Sequence, residues 1–154
     1  MPRSTLTLWL LLSCAVACSR EFSSLGVGVR YEPPSGMAFV SEEPGPPIVA
    51  RFEGGLEVHS VSGLAPKPDA PPEEVLRAAR LATPGQRLLN ATQGTLPAGP
   101  VTRYEFQQGS THSLVYVIPR DGRFVLVVYS APEQDYGPGL ARVERSLSSL
   151  KLTR

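Results

Sequence analysis

Both cysteines, Cys14 and Cys18, fall within the first eighteen residues, and everything after them is free of cysteine. That absence rules out an internal disulfide scaffold and a thiolate metal site in the body of the chain. Whatever fold forms there must be held by buried apolar surface. Hydrophobic residues make up 42% of the 154, enough for the core of one domain and too many for general disorder. Sixteen prolines and fourteen glycines mark a chain rich in turns.

The cysteines sit in a segment of a different kind. Arg3 is the only charged side chain of Met1–Thr7, Leu6–Leu12 is an apolar run, and the small residues Ser13-Cys14-Ala15-Val16-Ala17-Cys18 follow. A basic start, a short apolar stretch and a small-residue exit describe a secretory signal. The run is shorter than the roughly 20 apolar residues a spanning helix requires. Ala15-Val16-Ala17 suits ordinary signal peptidase. Followed by Cys18, the same residues resemble a bacterial lipobox, in which the cysteine sulfur is lipidated before cleavage. Leu11-Leu12-Ser13-Cys14 is the competing site, and plain secretion is a third outcome. An exported, unpaired thiol is open to oxidation whereas a thioether is inert, so lipidation at Cys18 is the expected fate. The expected organisation is a signal at 1–17, a lipidated start and polar tether at 18–24, and a single domain at 25–154. Ser19, rather than aspartate, follows Cys18, which by resemblance to well-studied envelopes leans towards the outer membrane.

Fifteen basic side chains face fourteen acidic ones. Without Arg3 the mature chain is balanced, so no net field draws it to nucleic acid or an anionic membrane surface.

Leu25, Val27, Val29 and Tyr31 alternate with glycines and Arg30, a strand pattern. Met37–Val40 reads as a second short strand, and Glu42–Pro47 as a turn. Ile48–Phe52 and Leu56–Val61 flank Glu53-Gly54-Gly55 and form a hairpin. Ala65–Pro72 holds four prolines and is a loop. A helix is expected from Pro72, with Glu73 and Glu74 at the positive end of its dipole. Its apolar face is Val75, Leu76, Ala79 and Ala82, and Thr83-Pro84-Gly85 ends it. Arg87–Gln93, Val101–Gln107, Thr111–Ile118 and Arg123–Ser130 read as strands, the last two joined by Pro119-Arg120-Asp121-Gly122. Phe124–Tyr129 is almost continuously apolar, which places it centrally in the sheet and covered on both faces. Leu140, Val143, Leu147 and Leu150 recur at helical spacing behind Pro138, with Arg142 and Arg145 opposite. The fold class expected is α+β, a mainly antiparallel sheet flanked by two helices.

This order resembles the PsbP-like superfamily, which includes many small bacterial lipoproteins. The residues carrying the likeness are Val29-Arg30-Tyr31-Glu32-Pro33-Pro34-Ser35-Gly36 and the passage from Phe124–Ala131 into Leu140-Ala141-Arg142-Val143-Glu144-Arg145-Ser146-Leu147. Two departures stand out: Met37 occupies the usual tryptophan position, and Ser146-Leu147 lacks the usual aromatic. The resemblance implies a binding or assembly factor rather than an enzyme.

Residue chemistry agrees with that implication. His59 beside Glu57, and His112 among Ser110, Thr111 and Ser113, supply residue types for a triad but no nucleophile elbow. A metal site at the two histidines and Glu57 requires adjacent strands with both rings on one face. Gly26-Val27-Gly28 has no following helix and forms no dinucleotide fingerprint. Asp69, Glu73, Glu74, Glu133 and Asp135 read as helix-end and loop carboxylates, and Asn90-Ala91-Thr92 as a sequon meaningful only in a eukaryotic secretory route. Arg142, Arg145, Lys151 and Arg154 form a modest basic edge. No catalytic residue, cofactor or metal is expected. The expected function is a membrane-anchored, non-enzymatic envelope lipoprotein with an envelope protein partner, contacted through Pro44–Pro47, Pro66–Pro72 or Gln134–Gly139. The alternative is a periplasmic small-ligand carrier or weak hydrolase with a pocket near His59 or His112.

Overall fold

The computed structural model describes residues 20–154. The signal segment and both cysteines therefore lie outside the described residues. Strands β1 (Phe22–Ser24), β2 (Val29–Tyr31), β3 (Phe39–Glu43), β4 (Ile48–Phe52) and β5 (Leu56–Ser62) come first. Helix α1 (Pro72–Ala78) precedes a meander of β6 (Arg87–Leu96), β7 (Gly99–Gln108), β8 (Thr111–Arg120) and β9 (Arg123–Pro132). Helix α2 (Glu133–Ser146), one 3-10 turn and β10 (Lys151–Leu152) close the chain. All strand pairs are antiparallel, which agrees with the expected α+β class.

The main sheet has seven strands in the order β3-β4-β5-β9-β8-β7-β6, and β9 is its middle strand. Its continuous apolar run is thereby explained. Val125, Val127, Tyr129 and Ala131 enter one core with Val143 and Leu147 of the C-terminal helical region. Phe124, Leu126 and Val128 enter a second core with Val75, Leu76 and Ala79 near α1. Helices thus cover both faces of the sheet, and apolar residues from both faces of β9 are removed from water.

The N-terminal segment differs from the single strand expected over Leu25–Tyr31. Val27, Val29 and Tyr31 are buried as the alternation requires, but Leu25–Gly28 is a turn between β1 and β2. These two short strands leave the main sheet and pair with each other, and β2 also pairs with β10, in a separate sheet of order β1-β2-β10. Order begins before the expected boundary at residue 25: Phe22–Ser24, assigned to a polar tether, form a strand. The small sheet is fastened from two sides. The Tyr31 hydroxyl meets Ser146 Oγ at the end of α2, and Arg120 donates to the carbonyls of Gly28 and Thr153.

The β4–β5 hairpin forms as expected, and Gly54 and Gly55 both take positive φ. Gly55 has a second role, because a Cβ there would fall onto the carbonyl oxygen of Ser130 on β9. Elsewhere the boundaries move. Strand β3 takes in Glu42 and Glu43, and β8 and β9 extend until only Asp121-Gly122 separates them. Helix α1 ends at Ala78, short of Thr83-Pro84-Gly85, and leaves Ala82 exposed.

Helix α2 begins at Glu133, so Gln134–Gly139 is helix and not the exposed loop expected there. Proline within a helix is unfavourable, but Gly139 allows the backbone to approach β9 where a Cβ would fall onto the Tyr129 hydroxyl. Close packing holds this turn in place. Arg103 on β7 secures the next turn, bonding Glu144 at 2.8 Å and pairing with Glu105.

Candidate functional site

A broad concavity lies where the small sheet meets β3. It is an open groove of about 1110 Å³. One wall is Arg20–Gly26, including β1; the other is Pro33–Phe39, with Glu42 at the edge. The second wall includes Pro33-Pro34-Ser35-Gly36 and the Met37 departure singled out in sequence.

Aromatic rings form the apolar side. Phe22 and Phe39 stack with centroids 4.9 Å apart, and Phe52 meets Phe22 edge-on at 5.1 Å. Met37 is buried, whereas Phe39 is 46% exposed and Leu25 is 84% exposed. Leu25, Phe39 and the neighbouring Val40 are half of the large hydrophobic side chains exposed among the described residues. The rim is polar: Glu21 accepts from Arg30 Nε at 2.9 Å, and Arg20 and Glu42 stand at the margins. An apolar floor with a charged rim suits binding of an apolar group carried on a polar body. It offers no nucleophile paired with a base.

The two histidines are not brought together. His59 lies opposite Leu126 of the α1-side core, while His112 lies opposite Ala131 of the α2-side core. They occupy opposite faces of the sheet, so no ion between them can be ligated by both. Among the described residues no group of three or more His, Asp or Glu side chains is placed to hold a metal. His59 is buried and its Nε2 lies 2.7 Å from Glu57, leaving buried Nδ1 without a partner. Burial pushes the imidazole down to about 4, with Arg80 and Arg51 adding to the effect. His59 is therefore neutral at pH 7 and donates from Nε2–H to the Glu57 carboxylate. Arg51 closes this cluster, bonding Glu57 and, at 2.9 Å, Glu43. His112 rests against Tyr136 with ring centroids 5.1 Å apart, its Nε2 and the Tyr136 hydroxyl both buried without partners. Ser113 points to the opposite face and bonds Ser130 at 2.8 Å. Neither histidine lines the groove or either of two smaller clefts, one under α2 and one of about 220 Å³ beside α1.

A second cleft of about 510 Å³ shares Gly36 and Met37 with the groove and extends under Pro138 and Arg142. Arg142, expected on a solvated face, donates to the Ser35 carbonyl at 2.9 Å and fixes the wall between the two. Of the segments expected to carry contacts, Pro44–Pro47 lines none of these three hollows, Pro66–Pro72 reaches one only through Pro72 in the cleft beside α1, and Gln134–Gly139 lines the second cleft through Asp135 and Pro138. Sequence reasoning missed the groove because Phe22 and Phe39 lie on separate segments that only tertiary pairing unites.

No protein-family model matches the sequence, and no curated protein matches it. Solved structures do. The solution structure of cyanobacterial PsbP (CyanoP) from Synechocystis sp. PCC 6803 superposes with a TM-score of 0.57 at 15% identity, covering 86% of this chain and 91% of that one. The chain has a PsbP-like fold. Two further structures are similar at a TM-score of 0.48. One is a protein of Bacteroides thetaiotaomicron VPI-5482, 13% identical, covering 87% of this chain and 48% of that one. The other is LpqN, involved in cell envelope biogenesis of Mycobacterium tuberculosis, 12% identical, covering 82% and 83%. At these identities the likeness concerns the fold alone, and the PsbP-like assignment rests on the first. No helix among the described residues is long and apolar enough to cross a membrane.

Proposed function

We propose that this PsbP-like chain is a lipid-anchored protein of the bacterial cell envelope that binds another envelope component through the groove and catalyses nothing. The observation carrying this reading is where the groove sits. Its first wall includes Arg20, two residues after Cys18, and β1, four residues after it. Four residues reach at most about 14 Å. A thioether-linked lipid on Cys18 therefore holds the groove close to the headgroups, and its occupant must meet it there. Two or more acyl chains suffice for stable anchoring. Ser19 favours the outer membrane as the site of attachment.

Two measurements test the proposal separately. Labelling with a fatty acid analogue is expected to be lost in Cys18→Ser and retained in Cys14→Ser; labelling that survives Cys18→Ser removes the anchor at that residue. Affinity purification of the tagged protein from detergent-solubilised membranes is expected to recover a partner that Leu25→Asp and Phe39→Ser release. Recovery unaffected by both substitutions removes the groove as the binding surface.

A further inference from the structure

Four strands form the edges of the two sheets, and three of them are blunted. Strands β1 and β10 have only three and two residues. Strand β3 is broken by a register shift between Phe39 and Ser41, carries Glu42 and Glu43, and runs into Pro44. Short length, bulges, charges and prolines are the usual means of stopping an edge from pairing with another chain.

Strand β6 lacks most of them. It has ten residues, nine of them exposed. From Leu88 to Pro100 the sequence holds no Asp, Glu, Lys or Arg, and no proline lies within the strand. Its one irregularity falls between Leu88 and Asn90, after which Asn90–Leu96 pairs with β7 in unbroken register. No side chain or loop among the described residues bonds to the backbone of that stretch on its outer side. A row of N–H and C=O groups is left for another strand.

We propose that β6 is the pairing edge for a second copy of this chain, the two β6 strands running antiparallel about a two-fold axis near Gln93. Asn90, Thr92, Gln93 and Thr95 each carry both a donor and an acceptor, so the strand complements its own copy. A charged strand would meet its own charge across the axis. A foreign partner would have to be selected by charges or pockets, which this stretch does not present. Around that axis Leu88 and Leu89, both exposed, approach the Leu96–Pro97 end of the other copy. The contact is isologous and closes at two copies. It is independent of the anchor and of the groove.

Sedimentation of the full chain across a concentration series, with Thr92→Lys and Gln93→Lys, tests this. Both sites are exposed on an edge, and unchanged circular dichroism confirms that the variants fold. The wild type is expected to dimerise, and each lysine to raise the dissociation constant about tenfold or more, since both copies bring like charge to one axis. Mixing Gln93→Lys with Gln93→Glu is expected to restore association as a heterodimer. A wild type that stays monomeric up to its solubility limit overturns the proposal, as does a dimer that neither lysine weakens.

Discussion

At residue scale, two side-chain positions carry measurable consequences. A neutral imidazole buried at His59 makes folding sensitive to acid. Its folded value of about 4 lies below the ordinary 6.5, so on acidification the unfolded chain takes up the proton first. The contribution is fully present above about pH 6.5 and is lost as pH falls to about 4, amounting to at most ~3 kcal/mol. Urea midpoints measured across that window should fall with pH in the wild type and lose most of the slope in His59→Gln. Gly139 is the other position. A methyl group there meets the Tyr129 hydroxyl, so Gly139→Ala should cost about 1–3 kcal/mol through overpacking, read as a shift in denaturation midpoint. The gain in helix propensity from glycine to alanine, below about 1 kcal/mol, does not offset it.

At the scale of elements, the ends of the helices differ most from expectation. Helix α1 closes with Leu81 N–H on the Leu76 carbonyl at 2.8 Å and Arg80 N–H on the Arg77 carbonyl at 3.1 Å. This is a Schellman closure with Arg80 in the left-handed position, φ 59°, where glycine is usual. A reader of the sequence looks for glycine and passes on to Gly85. Arg80→Gly should therefore stabilise the fold by about 1 kcal/mol, measured by thermal denaturation; a loss would show that Arg80 acts mainly through its side chain near Glu43. Helix α2 depends on Arg103, which separates the carboxylates of Glu105 and Glu144. Arg103→Met leaves both acids on one face and should lower stability by roughly 1–3 kcal/mol, with α2 amides exchanging faster than those of β9. Val143, Leu147 and Leu150 are buried as their spacing suggests, but the helix stops at Ser146, so Leu147 opens the 3-10 turn and Leu150 is extended beyond it. The turn before Val143 was not legible, because Gly137-Pro138-Gly139 reads locally as a breaker and only β9 makes it helical.

At the scale of the whole molecule, the small sheet β1-β2-β10 joins both ends of the described chain to the rest of the fold. Arg120 at the tip of β8 is its latch, through the carbonyls of Gly28 and Thr153. Arg120→Ala should speed hydrogen exchange across β1, β2 and β10 while leaving β8 and β9 protected, because the main sheet keeps its own ladder. Equal loss of protection throughout would mean that the two sheets unfold as one unit. The sequence by itself determined the α+β class, the central covered strand Phe124–Tyr129, the Gly54-Gly55 hairpin and the burial of Val143, Leu147 and Leu150 in the C-terminal segment. Each of these is written in the period of apolar residues along a single segment, or in the φ that a local turn requires. Only the tertiary structure decided that Phe22–Ser24 leaves the tether and pairs with β2, that Phe22 and Phe39 face one groove, that the histidines stand on opposite faces, and that β6 lies at an unprotected edge. Those outcomes depend on which distant backbones hydrogen-bond and how closely they pack, and the period of a single segment does not encode either.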